Sequence, residues 1–231
     1  MKIYAISDLH LSLSGEKPMD IFGDKWGGYL EKIEYDWNSK VGDDDVVLIA
    51  GDISWAMKLE SALTDISFLS KLKGVKIITR GNHDYWWQSI SRVRNALPSN
   101  IIALQNDSVK IGNYVICGSR GWAVEGSPDF NEQDKKLQNR EVERFRLALK
   151  SAQKLIEDGD KLIAMIHFPP FNVRRENSCF TDLFEQFKVD KVVYGHLHGK
   201  DAKPYFRCNK NGIEYILSSC DLVDNKLVEV Y

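Results

Sequence analysis

At 231 residues and 43% hydrophobic content the chain is long enough to bury the core of one large globular domain. A formal net charge of −2 excludes a protein that holds nucleic acid or anionic membrane mainly by bulk charge, although a local basic patch could still do so. Cys117, Cys179, Cys208 and Cys220 form no Cys-x-x-Cys pair and need no disulfide framework, which points to a reducing compartment.

In chain order, the apolar run 3–7 reads as a strand ending in Asp8-Leu9-His10, and the spacing of two faces both polar side chains the same way in an extended chain. Asp8 and His10 also cut the run short before a secretion signal is complete, and no later run reaches membrane-spanning length. The expectation is a cytoplasmic protein with no membrane partner. Residues 11–25 read as a loop, and 26–37 as an amphipathic helix with Leu30, Ile33 and Trp37 at helical spacing. Gly42-Asp43-Asp44-Asp45 reads as a solvated turn. The buried-strand run 46–50 ends in Gly51-Asp52, and a helix over 59–72, closed by Gly74, leads to the strand 75–79 and the turn Gly81-Asn82-His83-Asp84.

Trp86-Trp87 opens a helix that Pro98 stops. Strands follow over 101–104, 108–111 and 114–117, the last two joined by a turn at Gly112-Asn113, so the sheet becomes partly antiparallel. Arg120, just past the third strand, reads either as a phosphate contact or as an exposed surface arginine. The stretch 123–134 lacks periodicity and 138–156 reads as a long helix with Phe145, Leu149, Ala152 and Ile156 on one face, which makes about 123–157 a candidate lid. The strand 162–166 runs into His167-Phe168-Pro169-Pro170, and Arg174 and Arg175 beyond it either meet a phosphate or face water. A helix over 181–187 and a strand over 191–194 lead to Gly195-His196-Leu197-His198-Gly199. The segments 213–218 and 226–230 read as closing strands without added chemistry, and 1–231 reads as a single domain.

All five histidines, His10, His83, His167, His196 and His198, follow predicted strands, as do Asp8, Asp52 and Asn82. Strand ends of one sheet share an edge, so the fold can gather residues that are far apart in sequence. Imidazole, carboxylate and amide oxygen without thiolate suit Mn, Fe, Zn, Ni or Co. Seven candidate ligands exceed the needs of one ion, and a bridging carboxylate would hold two cations roughly 3.5–4 Å apart.

As an ordered set, Asp8-Leu9-His10, Gly51-Asp52, Gly81-Asn82-His83-Asp84, His167 and Gly195-His196-Leu197-His198 closely resemble the motifs of the calcineurin-like metallophosphoesterases, in their bacterial-type form. The resemblance implies an α/β fold, a four-layer α-β-β-α sandwich of two mixed sheets. It also implies two divalent or mixed-valence transition metal ions, Mn, Fe or Zn. Asp8, His10 and His198 would hold one ion, Asn82, His167 and His196 the other, and Asp52 would bridge them. His83 would remain free for catalysis, with Asp84 orienting it. The implied reaction is hydrolysis of a phosphodiester or phosphomonoester by in-line attack of hydroxide generated between the cations. Asp52 is followed by Ile53-Ser54-Trp55-Ala56 where the protein Ser/Thr phosphatases carry Asp-Arg-Gly, so that branch does not fit. A small phosphodiester or nucleotide-like substrate suits the mild acidity better than a long polynucleotide, with a nuclease or a catalytically silent metal-bound scaffold as alternatives. Trp26, Trp55, Trp86, Trp87 and Trp122 read as core packing or as pocket walls.

Overall fold

The computed structural model describes residues 1–13, 17, 19–199 and 206–231. Continuous apolar runs of four to six residues suit strands buried on both faces, and two sheets are built from them. The first has the order β11 (Val228–Glu229), β1 (Ile3–Ala5), β2 (Val46–Ile49), β3 (Val75–Thr79), β4 (Ile101–Leu104). Its strands β1 to β4 are parallel, and β11 runs against β1. The second has the order β5 (Asp107–Ile111), β6 (Tyr114–Ser119), β7 (Lys161–Ile166), β8 (Lys191–Tyr194), β10 (Ile213–Leu217), β9 (Arg207–Lys210). Here β6, β7, β8 and β10 are parallel, with β5 and β9 as antiparallel edges.

Side-chain alternation divides the interior into three apolar layers. Ile3, Ala5, Val46 and Leu48 of the first sheet meet Ile116, Ile163, Met165 and Val193 of the second between the sheets. Their neighbours Tyr4, Val47 and Ile49 turn outward against α1 (Tyr29–Lys40), α2 (Leu59–Lys71) and α3 (Ile90–Ala96). On the far side, Val115, Leu162, Ala164 and Val192 pack against α4 (Glu132–Ala152) and α5 (Cys179–Gln186). The result is the expected four-layer α-β-β-α sandwich. The four cysteines are free, and no described helix is long and apolar enough to cross a membrane.

Several boundaries differ from the sequence pattern for local reasons. A short 3-10 turn over Asp24–Trp26 precedes α1, which therefore starts at Tyr29. Trp86 and Trp87 are not in a helix, because the Trp86 indole donates to Asp84 Oδ1 and the Trp87 amide donates to the Asp84 carbonyl, holding both in a turn. A capping box in which Asn131 and Asp134 exchange hydrogen bonds starts α4 six residues ahead of the expected position. The polar edge strand β9 has no apolar pattern by which it could be foreseen.

Within the lid candidate, α4 is a packed layer: Phe145 is fully buried, with its ring centroid 5.1 Å from that of Phe184 and 6.3 Å from that of Phe180. Phe145→Ala is expected to lower stability by about 3–5 kcal/mol. Chemical denaturation measures it, and a loss below about 1 kcal/mol would contradict this packing.

Candidate metal centre

The parallel strands deliver their following residues to one edge of the sandwich. Asp8 follows β1, Asp52 follows β2, Asn82 follows β3, His167 follows β7 and His196 follows β8. The two sheets are tied together here by Ser7, whose amide donates to the Ser218 carbonyl at 2.7 Å and whose hydroxyl lies 2.6 Å from that of Ser218.

Asp8 and His10 are not in the extended conformation that the i, i+2 spacing suggested. Their φ values are 58° and 45°, and Asp52 at 51° and His196 at 73° share the left-handed region. Each such non-glycine residue carries a cost of about 1–3 kcal/mol that surrounding contacts must offset. Those contacts are present: the His10 amide donates to the Asp52 carbonyl, and the His196 amide donates to the Asp8 carboxylate, both at 3.0 Å. Close approach adds a second restriction. A Cβ on Gly81 would collide with the Asp52 carboxylate, and one on Gly195 with the Asp8 carboxylate.

The donor atoms converge. Asp52 Oδ2 is 3.8 Å from His10 Nε2 and 3.5 Å from His167 Nε2, which places it between two histidine groups. On one side His10 Nε2 is 3.3 Å from His198 Nε2, itself 3.5 Å from Asp8 Oδ1. On the other, Asn82 Oδ1 is 2.7 Å from His167 Nε2 and 2.9 Å from His196 Nδ1. Asp8, His10 and His198, and likewise Asp8, Asp52 and His167, each bring one ligand atom per residue within 4.8 Å of the others, so each trio could hold a metal ion.

The proton inventory shows why cations fit. His167 Nδ1 donates to the Ala50 carbonyl at 2.9 Å, so the neutral ring has a bare lone pair on Nε2. That lone pair faces Asn82 Oδ1 at 2.7 Å, a contact between acceptors that a cation would turn from repulsive to attractive.

Residues around the donors hold them in place, and some of these carried no signal in the sequence reading. Asp221, past β10, accepts from His198 Nδ1 at 2.9 Å and from the Gly199 amide at 3.0 Å. Ser219 donates to Asp8 Oδ2 at 2.9 Å. The segment read as a closing strand without chemistry thus delivers two supporting groups, and its strand-end position was the available clue. Asp84, expected to orient His83, instead accepts from the amides of Gly81, Ile53 and Ser54 and from the Trp86 indole, so its carboxylate braces the turn. His83 is fixed through its amide, which donates to Asp52 Oδ1 at 2.8 Å.

The three arginines are not gathered with the histidines. Arg120 adjoins the centre through its carbonyl, which accepts from the His167 amide, while its guanidinium pairs with Glu141 at 3.3 Å and lies over Trp122. Arg174 pairs with Glu176 at 3.1 Å on the surface, and the Arg175 carbonyl accepts from Lys210. Of the tryptophans, Trp86 and Trp87 are buried, whereas Trp55 stacks on His10 with centroids 4.7 Å apart.

Burial pushes His10, His167 and His196 down to about 3, which keeps these rings neutral. Burial and the neighbouring Asp8 and Asp84 carboxylates push Asp52 up to about 9. Burial opposes charge on His198, but its bonds to Asp221 and Asp8 prevail and raise it to about 10. Without cations, protons on Asp52 and His198 supply the missing positive charge. Between about pH 6.5 and 8 the folded chain therefore holds protons on both groups that the unfolded chain has released, so its stability falls as pH rises. The chelator-treated protein is expected to melt at progressively lower temperature across this window, and metal loading should flatten the trend. A calorimetric melting temperature that rises across it in chelator would refute this protonation pattern.

Three solved structures share the fold at low identity. Protein AQ665 of unknown function from Aquifex aeolicus is 15% identical, with a TM-score of 0.53 and coverage of 99% of this chain and 95% of that one. The phosphopantetheinyl hydrolase PptH from Mycobacterium tuberculosis is 15% identical, with a TM-score of 0.58 and the same coverages, 99% and 95%. TT1561 from Thermus thermophilus is 13% identical, with a TM-score of 0.59 and coverage of 98% and 96%. No curated protein matches the sequence. Residues 1–200 match the model of the family described as calcineurin-like phosphoesterase. With the motifs in order and the donors gathered at one edge of an α-β-β-α sandwich, the chain belongs to the calcineurin-like phosphoesterase family.

Proposed function

We propose that this protein hydrolyses a small phosphodiester or nucleotide-like ester whose apolar or aromatic part lies beside the metal centre. The observation that carries the reading is a cavity of about 740 Å³ in which His10, His83 and His198 face Trp26, Trp55 and Met19. Such a cavity places a polar reacting end against an aromatic wall, which suits an ester with a flat or apolar group attached to phosphate. Lys25, on the same cavity, donates to the Asp221 carbonyl at 2.9 Å and pairs with Asp224 at 3.6 Å.

In this reading Asp8, His10 and His198 would hold one cation and Asn82, His167 and His196 the second, with Asp52 available to both. The bound ions, of the Mn, Fe or Zn type, supply Lewis acidity toward water and the phosphoryl oxygens. Asp221 and the Ala50 carbonyl fix the tautomers of His198 and His167, so their bare nitrogens face inward. His83 stays outside the donor set: its ring is half-buried, 4.7 Å from Trp55 and 5.7 Å from His10 between centroids. Burial and the charge of His198 lower its pKa, so it presents a neutral imidazole N–H to a phosphoryl or leaving oxygen. The approach of an anionic ester raises its proton affinity and readies it for donation. We place any closing movement in the loop 123–131, ahead of the packed helix α4.

Two sets of variants test the reading. In the Mn-loaded protein, His83→Ala should keep its metal content and lose about 10²- to 10⁴-fold in kcat on a chromogenic phosphodiester. Asn82→Ala should lose metal from one position, and equal metal loss in both variants would reject this division of labour. Trp55→Ala should raise KM about tenfold for aryl or nucleoside phosphodiesters and leave that of a methyl ester unchanged. Equal effects on both substrate types would reject the aromatic wall.

A further inference from the structure

A second concave site lies on the same strand-end edge, on the His167 and Asn82 side of the centre. Arg80 immediately follows β3, two residues ahead of Asn82, and Arg120 immediately follows β6, with its carbonyl accepting from the His167 amide. Arg140 and Arg144 reach the same place from α4, and together with Glu141 and Gln88 these side chains line a cavity of about 270 Å³. Four guanidinium groups there face a single carboxylate, leaving three positive charges unbalanced among the lining residues.

An ion-pair cluster that serves only the fold accounts for part of this arrangement. Glu141, 1% exposed, brings Arg144, Arg120 and Arg140 to one oxygen at 2.7, 3.3 and 3.4 Å. Arg80 does not belong to that cluster. Among the described residues its side chain makes no hydrogen bond or ion pair, and its Nε is buried without a partner. Burial lowers the proton affinity of Arg120, Glu141 opposes that shift, and Arg80, Arg140 and Arg144 add to it, so Arg80 contributes repulsion with no compensating bond among the described residues. Unpartnered buried donors and unbalanced charge both cost stability unless a ligand supplies the missing acceptors and negative charge.

We propose that this cavity is an oxyanion site for a phosphate group, held by Arg80, Arg120, Arg140 and Arg144. Planar guanidinium forks match the oxygens of a phosphate, and a dianion compensates the excess charge more fully than a single carboxylate would. The phosphate comes either free from solution or as a second phosphate carried by the substrate. Only the substrate-borne source rests on the phosphoesterase reading; the site itself does not.

The test uses the full-length, metal-loaded protein titrated calorimetrically with inorganic phosphate, comparing wild type with Arg80→Gln and Arg144→Gln. Each variant is expected to bind one phosphate fewer, or to bind that equivalent about tenfold or more weakly. Isotherms identical to wild type in both variants would overturn the proposal. Because the Arg80 side chain has no partner among the described residues, Arg80→Gln should keep or raise the melting temperature in phosphate-free buffer and lose the rise that phosphate produces. A fall of several degrees with the phosphate isotherm unchanged would mark a purely structural arginine and also overturn it. A phosphodiester with and without an added terminal phosphate then identifies the source. A KM advantage for the extended ester that Arg80→Gln abolishes assigns a substrate-borne phosphate, while no such advantage beside the lost phosphate equivalent assigns a free one. Turnover of the simple diester by wild type tests the phosphoesterase reading separately.

Discussion

The structure depends on a crowd of hydrogen-bond acceptors that the fold forces together. Asp52, Asn82, His10, His167, His196 and His198 bring oxygens and nitrogens within 2.7 to 3.8 Å of one another, more acceptors than the protons they carry can satisfy. Such a group is repulsive by itself, and its neighbours resist that repulsion. Left-handed backbone at Asp8, His10, Asp52 and His196 turns the side chains inward, and the hydrogen bonds of Ser219, Asp84 and Asp221 keep the turns from relaxing. Strain of this kind is sustained where surrounding contacts over-determine the conformation, as the gathered parallel strand ends do here.

Much of the site was legible in the sequence, because its residue types are costly beside a core and all of them follow apolar runs. The same pattern gave the layers, since strands buried on both faces read as unbroken hydrophobic stretches. What could not be read was orientation. The spacing of Asp8 and His10 suggested a shared face of an extended strand, whereas both have positive φ and converge through a turn. Asp84 looked like a partner for the adjacent His83, yet its carboxylate is taken by the amides of Gly81, Ile53 and Ser54. Asp221 and Ser219 went unnoticed because their roles rest on contacts with His198 and Asp8, and such long-range pairings leave no local mark.

The two flanks of the centre differ in chemistry, and the difference follows from topology. On the flank of His10 and His198, the segment between β1 and α1 and the turn after β2 contribute Met19, Trp26 and Trp55, so the wall is largely apolar. On the flank of His167 and Asn82, the ends of β3 and β6 and one face of α4 contribute arginines. The cavity beside His10 and His198 is therefore walled by aromatic side chains, and the cavity formed past β3 and β6 by cationic ones. Arg120 belongs to the second flank: its backbone supports His167 while its charge is directed away from the donors, toward Glu141.

The tie between Asp8 and the far part of the chain also dictates an order of assembly. The first strand can pair with β2 soon after both have been synthesised, and the β5–β6 hairpin closes locally. Asp8, however, takes the His196 amide, 188 positions later, and the Ser219 hydroxyl, 211 positions later. Until those residues leave the ribosome, the carboxylate and imidazole of the first strand end have no complete pocket around them. The candidate centre therefore closes only after residues near 219 have been made, and any metal held there would report on the closure of the whole chain rather than of any one segment.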